Sequence, residues 1–202
     1  CSNRGDISCA QDMGKIRIGG IASLWRAKYV SSYVDKGGVI TDCSVEANLT
    51  AANATTAMFV GGIVGSAVEG TNNGLVRCSY KGTITTGKCN NTAATGADVG
   101  GSVGGLMGVN YTFKYNNCSV NATIVSGQNV HYGLYAGGNM TASSRNYEIN
   151  GACTVKSGSS LNGVSFTDDT QLSADSYKAV LGTRNGSYCK IVFKTDATLT
   201  IN

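Results

Sequence analysis

The spacing of the cysteines constrains this chain most. Six of them fall at positions 9, 43, 78, 118, 153 and 189, at intervals of 34, 35, 40, 35 and 36. Only Cys1 and Cys89 lie off the series. The local setting recurs as well: "TDCSVEANLT" (41–50), "RCSYKGTITTG" (77–87) and "NNCSVNATIVSG" (116–127) place a cysteine before small and β-branched residues. A sustained period of this length marks a chain built from stacked supersecondary units.

A second signature lies between the cysteines. "IGGIAS" (18–23), "VGGIVGS" (60–66) and "VGGLMGV" (103–109) match one another, while "YGLYAGG" (132–138) and "YKAVLGT" (177–183) are degraded copies. From cysteine to Gly-Gly position the counts are 10, 18, 26, 15 and 25, and from there to the next cysteine 24, 17, 14, 20 and 11. The sums stay near 35 while the parts trade length, as in a coil of fixed circumference with movable corners. The 202 residues include no proline and 28 glycines, and Val, Ile, Thr, Tyr and Asn recur in short runs, which favours strands and turns. Proline would remove ladder donors, and glycine serves where the backbone needs positive φ or close approach. The reading is an all-β fold: a single β-solenoid domain over 1–202, of about five repeats and a closing strand, "CKIVFKTDATLTIN".

The cysteines have three physical readings: disulfides, a metal site or a packed column. Stacked equivalents point the same way, with a poor torsion for bonding. Zinc wants four ligands converging on a point, commonly with C-x-x-C spacing, and no C-x-x-C occurs. Free cysteine behaves as a small buried hydrophobe. Cys9, Cys43, Cys78, Cys118, Cys153 and Cys189 therefore read as a structural ladder, the middle four as reduced interior thiols. No metal and no cofactor is expected.

Other motifs carry less. Arg4-Gly5-Asp6 matches the integrin tripeptide but suits an ordinary polar turn. "GTITTGKC" (82–89) approaches a P-loop, yet Cys89 replaces the hydroxyl and no helix signal follows. The single histidine, His131, has no nucleophile placed beside it by sequence. Asp168 and Asp169, with Asp175 nearby, are the acids of a solenoid-hydrolase reading, against which stands solvated loop charge. Eight N-x-[ST] sequons, among them Asn48, Asn110, Asn117 and Asn121, follow from an Asn- and Thr-rich composition. Trp25, Tyr29 and Tyr33 lie in the longest Gly-to-Cys loop; they read as a contact surface for sugar or protein, or as a lid packed on the solenoid's end.

The lysines and arginines are scattered at a net charge of +4, so nucleic acid is not an expected partner. No apolar run is long enough to span a bilayer. Cys1 has two readings, the lipid-bearing terminus of a cleaved bacterial lipoprotein or a chain boundary without that meaning.

"VGGIVGS", "VGGLMGV", "RCSYKGTITTG" and "NNCSVNATI" resemble the GLUG-type repeats of bacterial surface proteins, especially those of Bacteroides and relatives. Similar repeats occur outside the catalytic domain in IgA-cleaving metalloprotease precursors. The resemblance covers roughly residues 18–127. It implies a secreted or surface-anchored solenoid in adhesion or host contact, and it carries over no catalytic residues. The expected function is a non-catalytic cell-surface binding module presenting loops to a glycan or host protein. The alternatives are a solenoid carbohydrate-active enzyme and a spacer displaying other domains. Local function is expected where the pattern breaks, at 22–38, 88–99 and 156–176.

Overall fold

The structure, a computed structural model, describes residues 1–26, 29–30, 33–34, 38–68, 73–92, 100–110, 113–139, 148–150, 152–172 and 199–201. The described residues form a β-solenoid whose parallel strands stack in register on four faces. Cys189, Asp175, the 177–183 copy and most of the expected closing strand lie outside them.

Each coil runs through the faces in the same order. The first face holds Ser2–Asn3 with Ile7–Cys9, Ser44–Glu46 with Leu49–Ala51, Ser79–Thr86, Ser119–Val125, and Cys153–Val155 with Ser160–Leu161. The second stacks Met13–Gly19, Ala54–Gly61, Gly101–Gly104 and Val130–Gly133. The third stacks Ala22–Arg26, Val64–Val68, Met107–Asn110 and Ala136–Asn139. The fourth stacks Val39–Thr41, Asn73–Val76, Phe113–Asn116 and Glu148–Asn150. Among the described residues this makes four complete coils, 1–42, 43–77, 78–117 and 118–152, and the opening face of a fifth.

The register corrects one expectation about the ladder. Ile7–Cys9 pairs with Leu49–Ala51, so Cys9 stands against Ala51 and not against Cys43. Ser2 pairs with Ser44, and the Ser44 amide donates to the Cys1 carbonyl at 3.0 Å. Cys1 therefore opens the column that Cys43, Cys78, Cys118 and Cys153 continue. The Ser79, Ser119 and Thr154 amides repeat the bond, donating to the carbonyls of Cys43, Cys78 and Cys118.

Side chains on the first face alternate sharply. Over Ser119–Val125, Val120, Ala122 and Ile124 are buried while Ser119, Asn121, Thr123 and Val125 face outward. Period-2 patterning puts one set in the core and the other in solvent. The core stacks like on like. Leu49, Ile84 and Ile124 succeed one another in register, with Leu161 beyond them, and all four are buried. Each such aliphatic side chain contributes about 1.5–3 kcal/mol through the water it sheds.

The glycine pairs mark the thinnest part of the interior. Gly19, Gly61, Gly104 and Gly133 are in register. A Cβ on the second glycine of each pair would lie inside 3.0 Å of fixed neighbours: Val45 and the Gly62 carbonyl for Gly20, Tyr80 and the Gly105 carbonyl for Gly62, Val120 and the Leu134 carbonyl for Gly105. The reason for glycine here is close approach. Three left-handed corners are held by Asp42, Arg77 and Asn117, at φ of 54°, 50° and 51°, each immediately before a column cysteine. At the first two of these corners the Arg77 guanidinium makes a bidentate pair with Asp42, at 2.6 and 2.7 Å.

Side-chain amides fasten further corners. Asn48 Oδ1 accepts the Thr83 amide, and Asn53 Oδ1 accepts the Lys88 amide, both at 3.0 Å. In the first coil Asp6 and Asp12 take that role, accepting the Asn48 and Asn53 amides at 2.7 and 3.0 Å. The far end changes strand sense. Thr170–Leu172 runs antiparallel to Cys153–Val155, Val164–Phe166 to Ser160–Leu161, and Leu199–Ile201 to Val164–Phe166. These antiparallel strands cover the edge that a further coil would otherwise occupy.

Candidate functional site

The thiol column is unusually uniform. Cys43 Sγ donates to the Thr41 carbonyl at 3.3 Å, Cys78 Sγ to that of Val76 at 3.4 Å, and Cys118 Sγ to that of Asn116 at 3.5 Å. Cys78 and Cys118 also reach the preceding coil, at the carbonyls of Ile40 (3.4 Å) and Leu75 (3.2 Å). The sulfurs of Cys78, Cys118 and Cys153 each sit next to the backbone N–H of the cysteine one coil earlier. Cys43, Cys78, Cys118 and Cys153 are buried, and no disulfide joins the described cysteines. Burial pushes the Cys78 thiol above its ordinary pKa.

The column changes character between the fourth and fifth coils. Ile21, Ile63 and Leu106 follow the glycine pairs of the first three coils, and Tyr135 occupies that place in the fourth. Its buried hydroxyl lies 2.8 Å from the Cys118 carbonyl and 2.9 Å from that of Thr154. The ring of Tyr115 meets that of Tyr135 edge to face, with centroids 5.6 Å apart. The Cys118 amide donates to Cys153 Sγ at 3.3 Å. As neighbours in the column, the two thiols displace each other's titration, Cys153 below the ordinary thiol value and Cys118 above it. The Cys118 and Asn117 amides and the Tyr135 hydroxyl add to the stabilisation of a Cys153 thiolate, against the cost of burial. The Tyr135 hydroxyl, held between the Cys118 and Thr154 carbonyls, is the polar group that the earlier coils lack, with aliphatic residues in its place.

The residues singled out in sequence are dispersed. Trp25 is half-buried, packs on the core, and leaves a Gly38 Cβ only 2.7 Å from its ring. It lies in the first-coil strand Ala22–Arg26, in register with Ala67, and not in a loop. Tyr29–Val30 and Tyr33–Val34 form a separate antiparallel pair, whose side chains lie outside the described residues. Asp169 is exposed, in an ion pair with Lys156, and accepts the Ser157 amide at 2.8 Å; Lys156, first, and this amide hold it below the usual carboxylate range. Asp168 accepts from the Thr167 hydroxyl at 3.1 Å. His131 is buried in the second face, in register with Ser102. Within the Arg4-Gly5-Asp6 tripeptide, the Asp6 carboxylate is engaged by Asn48. The P-loop-like stretch is the strand Ser79–Thr86 and the corner after it, and Cys89 is buried beside Ala54. Among the described residues no three His, Cys, Asp or Glu side chains converge as a metal site, and no helix is long and apolar enough to cross a membrane.

The first face presents its outward residues in columns. Ser2, Ser44, Ser79, Ser119 and Thr154 form one; Glu46, Lys81 and Asn121 a second; Thr83, Thr123 and Ser160 a third; Ser8, Thr50, Thr85 and Val125 a fourth. Lys81 and Glu46 pair across neighbouring coils at 2.7 Å within the second column, and the serine and threonine columns beside them make the face polar.

Sequence reasoning missed Tyr135 and misassigned the first cysteine. The sequence did hold signals for both. Cys1-Ser2 repeats the Cys-Ser of 43–44, 78–79 and 118–119, and Cys1 precedes Gly19 by the same interval that separates Cys43 from Gly61. Cys9 is followed by alanine. Tyr135 stood in plain view as the residue that makes the fourth Gly motif irregular. No family model matches the chain, and no curated protein or solved structure is significantly similar to it.

Proposed function

We propose that the chain is a non-catalytic binding module of a bacterial cell surface, in adhesion to a glycan or host protein. The observation that carries this reading is the outward aspect of the first face: columns of serine and threonine on a parallel sheet, repeated over successive coils. Hydroxyls at the regular spacing of stacked strands, about 4.8 Å, suit a ligand that itself offers repeated hydrogen-bonding groups. The resemblance to surface repeats points the same way and supplies the extracellular setting. The Tyr29–Val30 and Tyr33–Val34 hairpin is the companion contact element at the solenoid's first end. Asp169 is tied into an ion pair with Lys156, which suits it poorly to the general-acid role of glycoside hydrolysis.

The test is a glycan array with the isolated chain, joined to a reducing-end assay on any polysaccharide that binds. Specific binding without new reducing ends is the expected result, and Thr83→Lys with Thr123→Lys on the first face should abolish it. Release of reducing ends would overturn the reading.

A further inference from the structure

We propose that the ligand of the first face is an extended, uncharged polysaccharide, lying along the solenoid axis over the column Ser2, Ser44, Ser79, Ser119 and Thr154. This ligand class rests on the adhesion reading, which it narrows to one chemistry and one line on the face. Five rungs at about 4.8 Å make a strip about 19 Å long. A sugar ring in an extended chain is about as long as one rung, so successive sugars meet equivalent hydroxyls. The surface of a folded protein partner has no such period.

The fold leaves the hydroxyls of this column unused. Elsewhere it spends such groups on fastening coils: Thr86 accepts the Gly127 amide and Ser159 that of Ala122, both at 3.2 Å, and Ser126 accepts from the Asn162 side chain at 2.6 Å. Among the described residues the column's own hydroxyls make no hydrogen bond to the protein. They face outward, exposed at Ser2 and Ser44 and half-buried at Ser79, Ser119 and Thr154. A serine or threonine hydroxyl both donates and accepts, as a sugar hydroxyl does.

The flanks of the column select against charge. Longer side chains stand two residues to either side of each inner serine: Asp42 and Glu46 about Ser44, Arg77 and Lys81 about Ser79, Asn117 and Asn121 about Ser119. Their charges are matched between coils, Arg77 with Asp42 at 2.6 Å and Lys81 with Glu46 at 2.7 Å. Lys156, two residues after Thr154, pairs with Asp169, while Arg4 in the first coil stands outside these pairs. Short serines between longer, charge-matched rails offer many hydrogen-bonding groups and little net field over the inner coils. That combination favours an uncharged polyhydroxylated chain over a polyanion.

The experiment measures binding of the full chain, by titration calorimetry, to cello-, manno- and xylo-oligosaccharides of two to six sugars. Maltohexaose serves as a coiled neutral chain and heparin as a polyanion. For at least one extended series, affinity should rise with length to about five sugars, one per rung, gain little from a sixth, and change little with salt. Ser79→Ala with Ser119→Ala should weaken the best-bound pentasaccharide about tenfold, the scale of two lost net hydrogen bonds. Thr85→Ala, in the fourth column, should not. Circular dichroism reports whether the variants are folded. No binding to any extended series, tighter binding of maltohexaose or heparin, or a folded serine variant that binds as the parent does overturns the assignment and leaves adhesion to another ligand standing. If the serine variant fails to fold, affinity independent of chain length overturns it. Serine-dependent binding accompanied by new reducing ends would instead uphold the ligand and overturn the non-catalytic reading.

Discussion

The first coil and the inner coils share a plan and differ in what surrounds them. Leu24 is 41% exposed, while its register partner Ser66 and the next, Val109, are fully buried. Met13 is 47% exposed, and its partner Ala54 is buried. The thiol column follows the same gradient, from an exposed Cys1 to buried sulfurs in every later coil. Charge is distributed to match. Ten charged side chains fall in 1–42, and nine in 43–152, a stretch more than twice as long. Within these residues the first coil is covered by a further coil on one side only, and its charge matches the surface left uncovered there. The identity of a repeat position thus follows from its place in the stack as much as from its place in the coil.

Glycine substitutions should break the two regions most unequally. Gly62→Ala sets a Cβ against the Gly105 carbonyl and the Tyr80 ring, neither of which can yield. Thermal melts should show a loss above about 4 kcal/mol, or no cooperative fold. Gly14→Ala in the first coil meets its nearest atom at 4.0 Å and should change the melt little. Equal effects at the two sites would contradict the stacked register.

Large-to-small changes give the next contrast. Leu75→Ala empties a fully buried position and should cost about 2–5 kcal/mol by denaturant titration. Leu24→Ala at the exposed edge should stay within about 0.5 kcal/mol. A smaller effect is expected at Tyr80, whose buried hydroxyl donates to the Ala47 carbonyl at 2.9 Å. Tyr80→Phe retains the ring and should lose about 1 kcal/mol.

The smallest effect concerns the bidentate pair joining the first two corners. The Arg77 hydrogen bond lowers the Asp42 pKa below its ordinary value of 3.8. A carboxyl lowered in the folded state stabilises above its unfolded pKa and loses that contribution as pH falls through the folded one. Both side chains are exposed, so Asp42→Asn should separate from the parent only slightly in melts at neutral pH, less in high salt, and converge with it in strong acid.

The architecture was legible because a coil's circumference fixes the cysteine period whatever its corners do. Close approach at Gly20, Gly62 and Gly105 was legible for a related reason, since only glycine fits and the residue repeats. The start of the ladder was not, because Cys9 lies closer than Cys1 to one full period before Cys43. The first coil is longer, and interval alone chose the wrong cysteine. The antiparallel strands at the far end break the period and leave no repeat to recognise. Tyr135 was hidden for the opposite reason. A departure from a motif looks like decay until the register shows its hydroxyl bridging the carbonyls of Cys118 and Thr154. Trp25 reads in sequence as a loop aromatic, yet it belongs to the strand Ala22–Arg26 and packs on the core.

The most direct test of the stacked column is pulsed thiol alkylation of the native, reduced chain, followed by peptide mapping. Cys1 and the half-buried Cys9 should label within the dead time, while Cys43, Cys78, Cys89, Cys118 and Cys153 stay protected until the chain unfolds. Labelling of Cys118 as fast as Cys1, or protection of Cys9 equal to that of Cys43, would contradict the register on which the whole account is built.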